Sequence, residues 1–131
     1  MIFLDGVKQV LLDLDRRGIL LGIVSNKYRY RIEAFLLRER LEKLIDVIVG
    51  FEDAAKPKPD PEGLIIAMNK LGKPREETVY IGDGLIDAET AGRIGVRFIA
   101  VLTGVTSRQD FENYSPCFII NSIEELPQLL S

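Results

Sequence analysis

The run Ile19-Leu20-Leu21-Gly22-Ile23-Val24, followed at once by Ser25-Asn26-Lys27, decides how this chain folds. An unbroken apolar stretch of strand length, without polar residues at alternate positions, suits a parallel strand covered on both faces. Just upstream, Val7 to Arg17 carries apolar residues at 7, 10, 11 and 14, the spacing of one helical face, and Gly18 supplies a C-terminal stop. Downstream, Tyr28 to Leu44 places Ile32, Phe35, Leu36, Leu41 and Leu44 roughly on one side of a second helix, and Val47-Ile48-Val49 is the next strand.

The same alternation continues to the far end. Ala54 to Pro61 holds three prolines and two lysines and reads as a loop. Glu62 to Leu71 is a helix closed by Gly72, Thr78 to Ile81 a strand ending at Gly82-Asp83-Gly84, and Asp87 to Ile94 a helix closed by Gly95. Arg97 to Leu102 is a strand, a polar region with a short helix follows, and Phe118-Ile119-Ile120 is the last strand. Ser122 with Glu125 three residues on forms a capping-box pattern for a final helix that Pro127 keeps short or bent. This β-α-β-α order predicts an α/β chain, a three-layer Rossmann-like core with a mainly parallel sheet and right-handed crossovers, as one domain over residues 1–131.

Composition narrows the chemistry. Hydrophobic residues make up 47% and charged residues 28% of the 131, enough to bury a core without disulfides or metals. A net charge of −3 with no long basic block argues against nucleic acid as a partner. No run approaches ~20 apolar residues, so no membrane partner or span is predicted. Met1-Ile2-Phe3-Leu4-Asp5 lacks the basic leader of a secretory signal, which makes the cytoplasm the expected location. The single cysteine, Cys117, sits in a strand-like run and reads as a small apolar side chain. With no histidine at all, Ser-His-Asp chemistry and the common zinc sites are excluded, and catalysis must rest on carboxylates, lysine, hydroxyls and a hard cation.

In a doubly wound sheet, ligands bind beyond the carboxyl ends of the strands, so the residues after each strand carry the information. These are Ser25-Asn26-Lys27, Phe51-Glu52-Asp53, Gly82-Asp83-Gly84 with Asp87, and Thr103-Gly104. Asp83 at a glycine-flanked turn and Asp87 in the next helical turn offer hard oxygen donors that favour Mg²⁺ over zinc. Taken alone they equally suit a turn residue and a helix cap. Ser25 and Asn26, beside a helix N-terminus, suit a phosphate oxygen or an ordinary cap. Lys56 and Lys58, in a proline-stiffened loop, are cations held at reduced ordering cost, or a solvated basic loop.

The ordered set, strand-Ser25-Asn26, then Lys58-Pro59-Asp60-Pro61, then Gly82-Asp83 with Asp87, resembles the haloacid dehalogenase (HAD) superfamily, nearest its phosphoglycolate-phosphatase-like branch. The resemblance runs from Gly6-Val7 through Leu71-Gly72, Tyr80-Ile81, Ala91-Gly92 and Gly95-Val96 to Asn121-Ser122-Ile123-Glu124-Glu125-Leu126. It implies that Ser25 binds the transferring phosphoryl group with Asn26 nearby. Lys58, favoured over Lys56 by the following Pro61-Glu62-Gly63-Leu64, would stabilise that group and the attacking carboxylate, while Asp83 and Asp87 would form the Mg²⁺ site. The implied partner is a small phosphorylated metabolite or phosphate.

The chain departs from that family at its start. Relatives end their first strand in Asp-x-Asp-Gly-Thr, whose first Asp attacks phosphorus, and no such segment precedes Ser25. Asp13-Leu14-Asp15 lies within the first helical pattern and is followed by Arg16-Arg17, so it is no substitute. Asp5, after Met1 to Leu4, is the remaining catalytic candidate, but Val7 stands where a second acid is needed. No cap domain is expected between these motifs. Three functions follow: a Mg²⁺-dependent phosphatase core, a non-catalytic remnant or binding module of the same fold, or one part of a split phosphatase. Without the nucleophile strand the sheet should show a gap, to be filled by residues 1–4 or by a second copy in a homodimer. Response-regulator receivers share the donor types but place the acidic pair first and the hydroxyl later, the reverse of the order here.

Overall fold

A computed structural model describes residues 7–130. The elements run α1 (Val7–Arg16), β1 (Gly22–Val24), α2 (Arg29–Arg38), β2 (Val47–Val49), α3 (Glu62–Leu71), β3 (Val79–Gly82), α4 (Leu85–Arg93), β4 (Arg97–Val101), α5 (Arg108–Glu112), β5 (Phe118–Ile120) and α6 (Leu126–Leu129). Single 3-10 turns occupy Glu42–Leu44, Phe51–Asp53, Arg75–Glu77 and Ile123–Glu125.

Every paired strand is parallel, but the described strands form two sheets. One holds β1 and β2 in register from Gly22 opposite Val47 to Val24 opposite Val49. The other runs β3-β4-β5, with Val79 opposite Arg97 and Ile99 opposite Phe118. The helices cover both faces. On one side α3 and α4 enclose Leu64, Ala88, Ala91, Phe98 and Phe111. On the other, α1 packs Val10 and Leu14 against Ile99, Val101, Ile120 and Leu126. Leu11 of the same helix turns toward Ile23, Ile32, Leu36 and Leu41. Helix α1 therefore bridges the two sheets, and its apolar residues at 10, 11 and 14 divide between them.

Two elements are shorter than the sequence patterns predict, each for a local reason. The apolar run from Ile19 forms a strand only from Gly22, because Gly18 (φ 78°) closes α1 and the Ile19 N–H donates to Leu14 O at 3.1 Å. The helix after Tyr28 stops at Arg38 rather than continuing to Leu44. Arg40 adopts φ 58°, and the Leu41 N–H turns back to Leu36 O at 2.8 Å, which still buries Leu41 to 2% exposure. Helix α4 begins two residues before the predicted Asp87, at Leu85. Residues 1–6 lie outside the described region, and with them Asp5 and the expectation that residues 1–4 fill the centre of the sheet.

Candidate active site

The rim at the carboxyl ends of β1 and β3 is organised around one cation. Lys58 Nζ donates to Asp87 Oδ1 at 2.6 Å, to the Tyr80 hydroxyl at 3.1 Å and to Val24 O at 3.4 Å. Those contacts use all three ammonium protons. The Lys58 and Asp87 side chains are only 14% and 15% exposed, so this is a nearly dry ion pair. Lys58 is held from behind by Asn26: Asn26 Nδ2 donates to Lys58 O at 3.2 Å, and the Lys58 N–H donates to Asn26 Oδ1 at 3.0 Å. The Asn26 amide is thereby spent on fixing the lysine loop. Lys56, the competing lysine, is exposed and reaches the cluster only through its backbone N–H, which donates to Glu62 Oε2 at 2.8 Å.

Asp87 is positioned by the turn before it. Its Oδ2 accepts the Gly84 N–H at 3.3 Å, and its carboxyl lies directly over Gly82, where a Cβ would stand 2.5 Å from Asp87 Oδ2. Glycine at 82 is thus a packing requirement of the carboxylate. Both oxygens of Asp87 are engaged. Asp83, by contrast, is exposed and has no hydrogen-bond or ion-pair partner among the described residues. Gly104 lies against it, with room so close that a Cβ there would meet Asp83 Oδ2 at 3.2 Å. Ser25 Oγ accepts the Lys27 N–H at 3.1 Å, which leaves the hydroxyl proton free for a ligand oxygen. Ser25, Asn26, Lys56 and Lys58 line one shallow pocket at this rim.

Tyr80 is the site residue that the sequence reading passed over. Its hydroxyl donates to Val24 O at 3.2 Å and lies 3.4 Å from Asp87 Oδ1. Burial, then the charge of Asp87 and the bond to it, push its phenol above the ordinary value of 10.0, so it is a neutral donor. The only sequence signal was a phenol among aliphatic neighbours in the strand leading to Asp83. Glu52 and Asp53, which also follow a strand, are drawn away from the rim. Glu52 Oε1 accepts the Arg29 N–H at 2.8 Å, and Asp53 pairs with Arg29 Nη2 at 2.9 Å.

The donor set suits a magnesium ion in one particular manner. Among the described residues no group of three or more acidic, histidine or cysteine side chains gathers as a ready-made cage. The Asp83 carboxylate, without a side-chain partner among the described residues, follows the carboxyl end of β3, the strand that carries Tyr80. Mg²⁺ commonly takes one or two carboxylates and completes its shell with water and phosphate oxygens, so Asp83 fits as a direct ligand. Asp87 fits as the residue that holds Lys58 beside it.

Comparison with known proteins gives the family and the fold. The sequence pattern of haloacid dehalogenase-like hydrolases matches residues 1–101. Pyrophosphatase PpaX of Bacillus mycoides is 30% identical over 127 residues, which are 97% of this chain and 59% of that protein. A solved structure from Bacteroides fragilis, described as a haloacid dehalogenase-like hydrolase, is 41% identical with a TM-score of 0.90, covering 96% of this chain and 60% of the other. A structure from Haemophilus somnus, described as a phosphoglycolate phosphatase, shares the fold at a TM-score of 0.89 and 20% identity, over 97% of this chain and 56% of that one. The chain thus spans rather more than half the length of the relatives it matches. No helix among the described residues is long and apolar enough to cross a membrane.

Proposed function

Because this chain belongs to the haloacid dehalogenase-like hydrolases, we propose that it is the phosphoryl-holding core of a Mg²⁺-dependent phosphatase acting on small phosphorylated metabolites. The observation that carries the reading is the fixed ammonium. Lys58, held by Asp87, Tyr80 and Val24 O, lines the same pocket as Ser25, whose Oγ accepts the Lys27 N–H and keeps its own proton for a ligand. A preset cation stabilises charge that builds on phosphoryl oxygens, and Ser25 adds a hydroxyl proton; a direct bond from Lys58 would replace one of its three present contacts. Mg²⁺ at Asp83 would neutralise further phosphoryl charge. Asp87 keeps Lys58 in place, and Tyr80, held protonated, keeps the cluster from gaining a second negative charge.

The names of the relatives supply the substrate classes to try first: phosphoglycolate and pyrophosphate. Both carry a compact, highly charged group that suits a small polar rim. The attacking carboxylate is the element this chain does not display, since no Asp-x-Asp-Gly-Thr segment occurs in its sequence and Asp5 lies outside the described residues.

Binding and turnover are tested separately. Calorimetric titration with inorganic phosphate, with and without Mg²⁺, should give saturable binding that Mg²⁺ strengthens. Ser25→Ala should weaken it by about tenfold, the loss of one hydrogen bond to a charged ligand. Absence of any phosphate binding at millimolar concentration would refute the reading. Hydrolysis of p-nitrophenyl phosphate with Mg²⁺, abolished by Asp5→Asn, would identify Asp5 as the nucleophile. Phosphate binding without hydrolysis would instead mark the chain as a phosphate-holding core that another segment completes.

A further inference from the structure

Phe51-Glu52-Asp53 follows β2 as Ser25-Asn26-Lys27 follows β1, yet the phosphoryl site uses neither of its acids. What this turn holds is the backbone of the Ser25 loop. Contact between the two loops continues past the strand ends. The Ser25 N–H donates to Val49 O at 3.0 Å, and the Phe51 N–H donates to Lys27 O at 2.8 Å. Glu52 Oε1 accepts the Arg29 N–H at 2.8 Å. The backbones come so close that a Cβ at Gly50 would stand 2.8 Å from Arg29 N. Arg29 returns its side chain to the same turn, Nε donating to Asp53 Oδ2 at 3.1 Å and Nη2 to Ile48 O at 2.6 Å.

Helix α2 depends on this outside support. The first N–H groups of a helix have no partner within it. The residue that caps α2, Tyr28, makes no side-chain capping bond. Glu52, from another element, supplies the acceptor, and its negative charge suits the positive end of the helix. The start of α2 is therefore set by the Phe51–Asp53 turn, and with it the peptide that carries the Lys27 N–H. That peptide aims Ser25. A serine hydroxyl can occupy several staggered positions, and the Lys27 N–H, 3.1 Å from Ser25 Oγ, selects one. On its other side the loop is clamped by the paired bonds between Asn26 and the Lys58 backbone.

We infer that Glu52 is a positioning residue for Ser25. By holding the Arg29 N–H it fixes the Lys27 peptide, and through that peptide it fixes the direction of the Ser25 hydroxyl. The ion pair of Arg29 with Asp53, 2.9 Å from Nη2 to Oδ2, anchors the turn that carries Glu52. Glu52 acts through the loop, since its side-chain hydrogen bond among the described residues goes to Arg29 and not to Ser25. It is exposed, so trimming it should disturb the fold little. The inference rests on the proposed function for what the hydroxyl binds, whereas the aiming of the hydroxyl does not depend on phosphate.

The test compares Glu52→Ala with Glu52→Gln, each with Ser25 present and in combination with Ser25→Ala. Both replacements are uncharged, but only glutamine keeps an acceptor oxygen, so the comparison cancels the effect of the lost charge on phosphate. Inorganic phosphate, titrated calorimetrically with Mg²⁺, should bind Glu52→Ala about threefold more weakly than Glu52→Gln. The two should bind equally once Ser25 is replaced, the mark of one residue acting through another. Equal affinities with Ser25 in place, or the same gap without it, would overturn the inference. A second readout needs no phosphate: the NMR resonance of the Lys27 amide proton. Ser25→Ala shows where that resonance goes when the bond to Oγ is lost. Glu52→Ala should move it the same way, and Glu52→Gln should leave it near its position in the parent. A Lys27 resonance that stays in place in Glu52→Ala also overturns the inference. Failure of the parent to bind phosphate, with the Lys27 shift still seen, removes the proposed function and leaves the positioning role standing.

Discussion

Lys58 offers three protons and finds three acceptors, so its position is determined by chemistry more than by loop shape. Removing it leaves the 15% exposed Asp87 carboxylate facing a phenol and a carbonyl. Lys58→Ala should therefore destabilise the fold by about 3 kcal/mol, the low end for breaking a buried pair, measured by urea denaturation. Gly82→Ala attacks the same pair from below. Its methyl would overlap the Asp87 carboxyl, so it should cost about 1–3 kcal/mol and weaken phosphate binding without touching a ligand atom. Tyr80 gives a pH signature. Its phenol titrates above the unfolded value of 10.0, so the folded state keeps a proton that the unfolded state has released. That contribution is complete below pH 10.0 and is lost as pH rises past it. Denaturant midpoints from neutral to strongly alkaline pH should fall more steeply for the parent than for Tyr80→Phe. Sequence pattern distinguished Lys58 from Lys56 through the Pro61-Glu62-Gly63-Leu64 that follows. It could not show Asn26 spending both ends of its amide on Lys58, because that clamp joins residues distant in the chain.

At the level of elements, boundaries were legible where an apolar period met a glycine. Helix α3 spans Glu62–Leu71 as read, with Gly72 at φ 68° closing it. They were illegible where a non-glycine residue made the turn, as Arg40 does after α2. The junction of α2 with β2 was also hidden, since it depends on Arg29 meeting Asp53. Asp53 Oδ2 takes the Gly50 N–H at 2.7 Å, and Arg29 Nη2 donates to Ile48 O at 2.6 Å. The Gly50 N–H above all, helped by Arg29 and opposed by partial burial, holds the Asp53 carboxyl below its ordinary value of 3.8. A lowered folded value means stability that is present above pH 3.8 and lost as the pH falls through the folded value. Asp53→Asn should lower stability by about 1 kcal/mol at neutral pH, given the partial exposure of the pair. It should also flatten the acid limb of the stability profile, followed by circular dichroism.

Over the whole molecule, the α/β class was legible from alternation alone, whereas the prospect of a broken sheet came only with the resemblance to a family whose first strand this sequence does not display. The division into two strands and three could only be seen once pairing partners were known, because an apolar run reads the same whether it has one neighbour or two. That division has a mechanical consequence. The β1-β2 pair is joined to the β3-β4-β5 sheet by the cluster around Lys58, by α3 and by the strap of α1. Leu14, 2% exposed, is the α1 residue most deeply set against Ile99, Val101 and Leu126. Leu14→Ala should cost about 2–5 kcal/mol as a core cavity. Its effect should be unequal across the structure. Strand β4, paired on both sides and buried from Phe98 to Val101, has the contacts to stay closed until global unfolding. The β1-β2 pair, with one neighbour and a loosened strap, should open first. Amide exchange on Leu14→Ala should thus rise earliest at Ile23, Val47 and Val49, with β4 the last to follow. Uniform acceleration at every strand would mean that the two sheets behave as one cooperative unit despite their missing pairing, and that α1 is not what couples them.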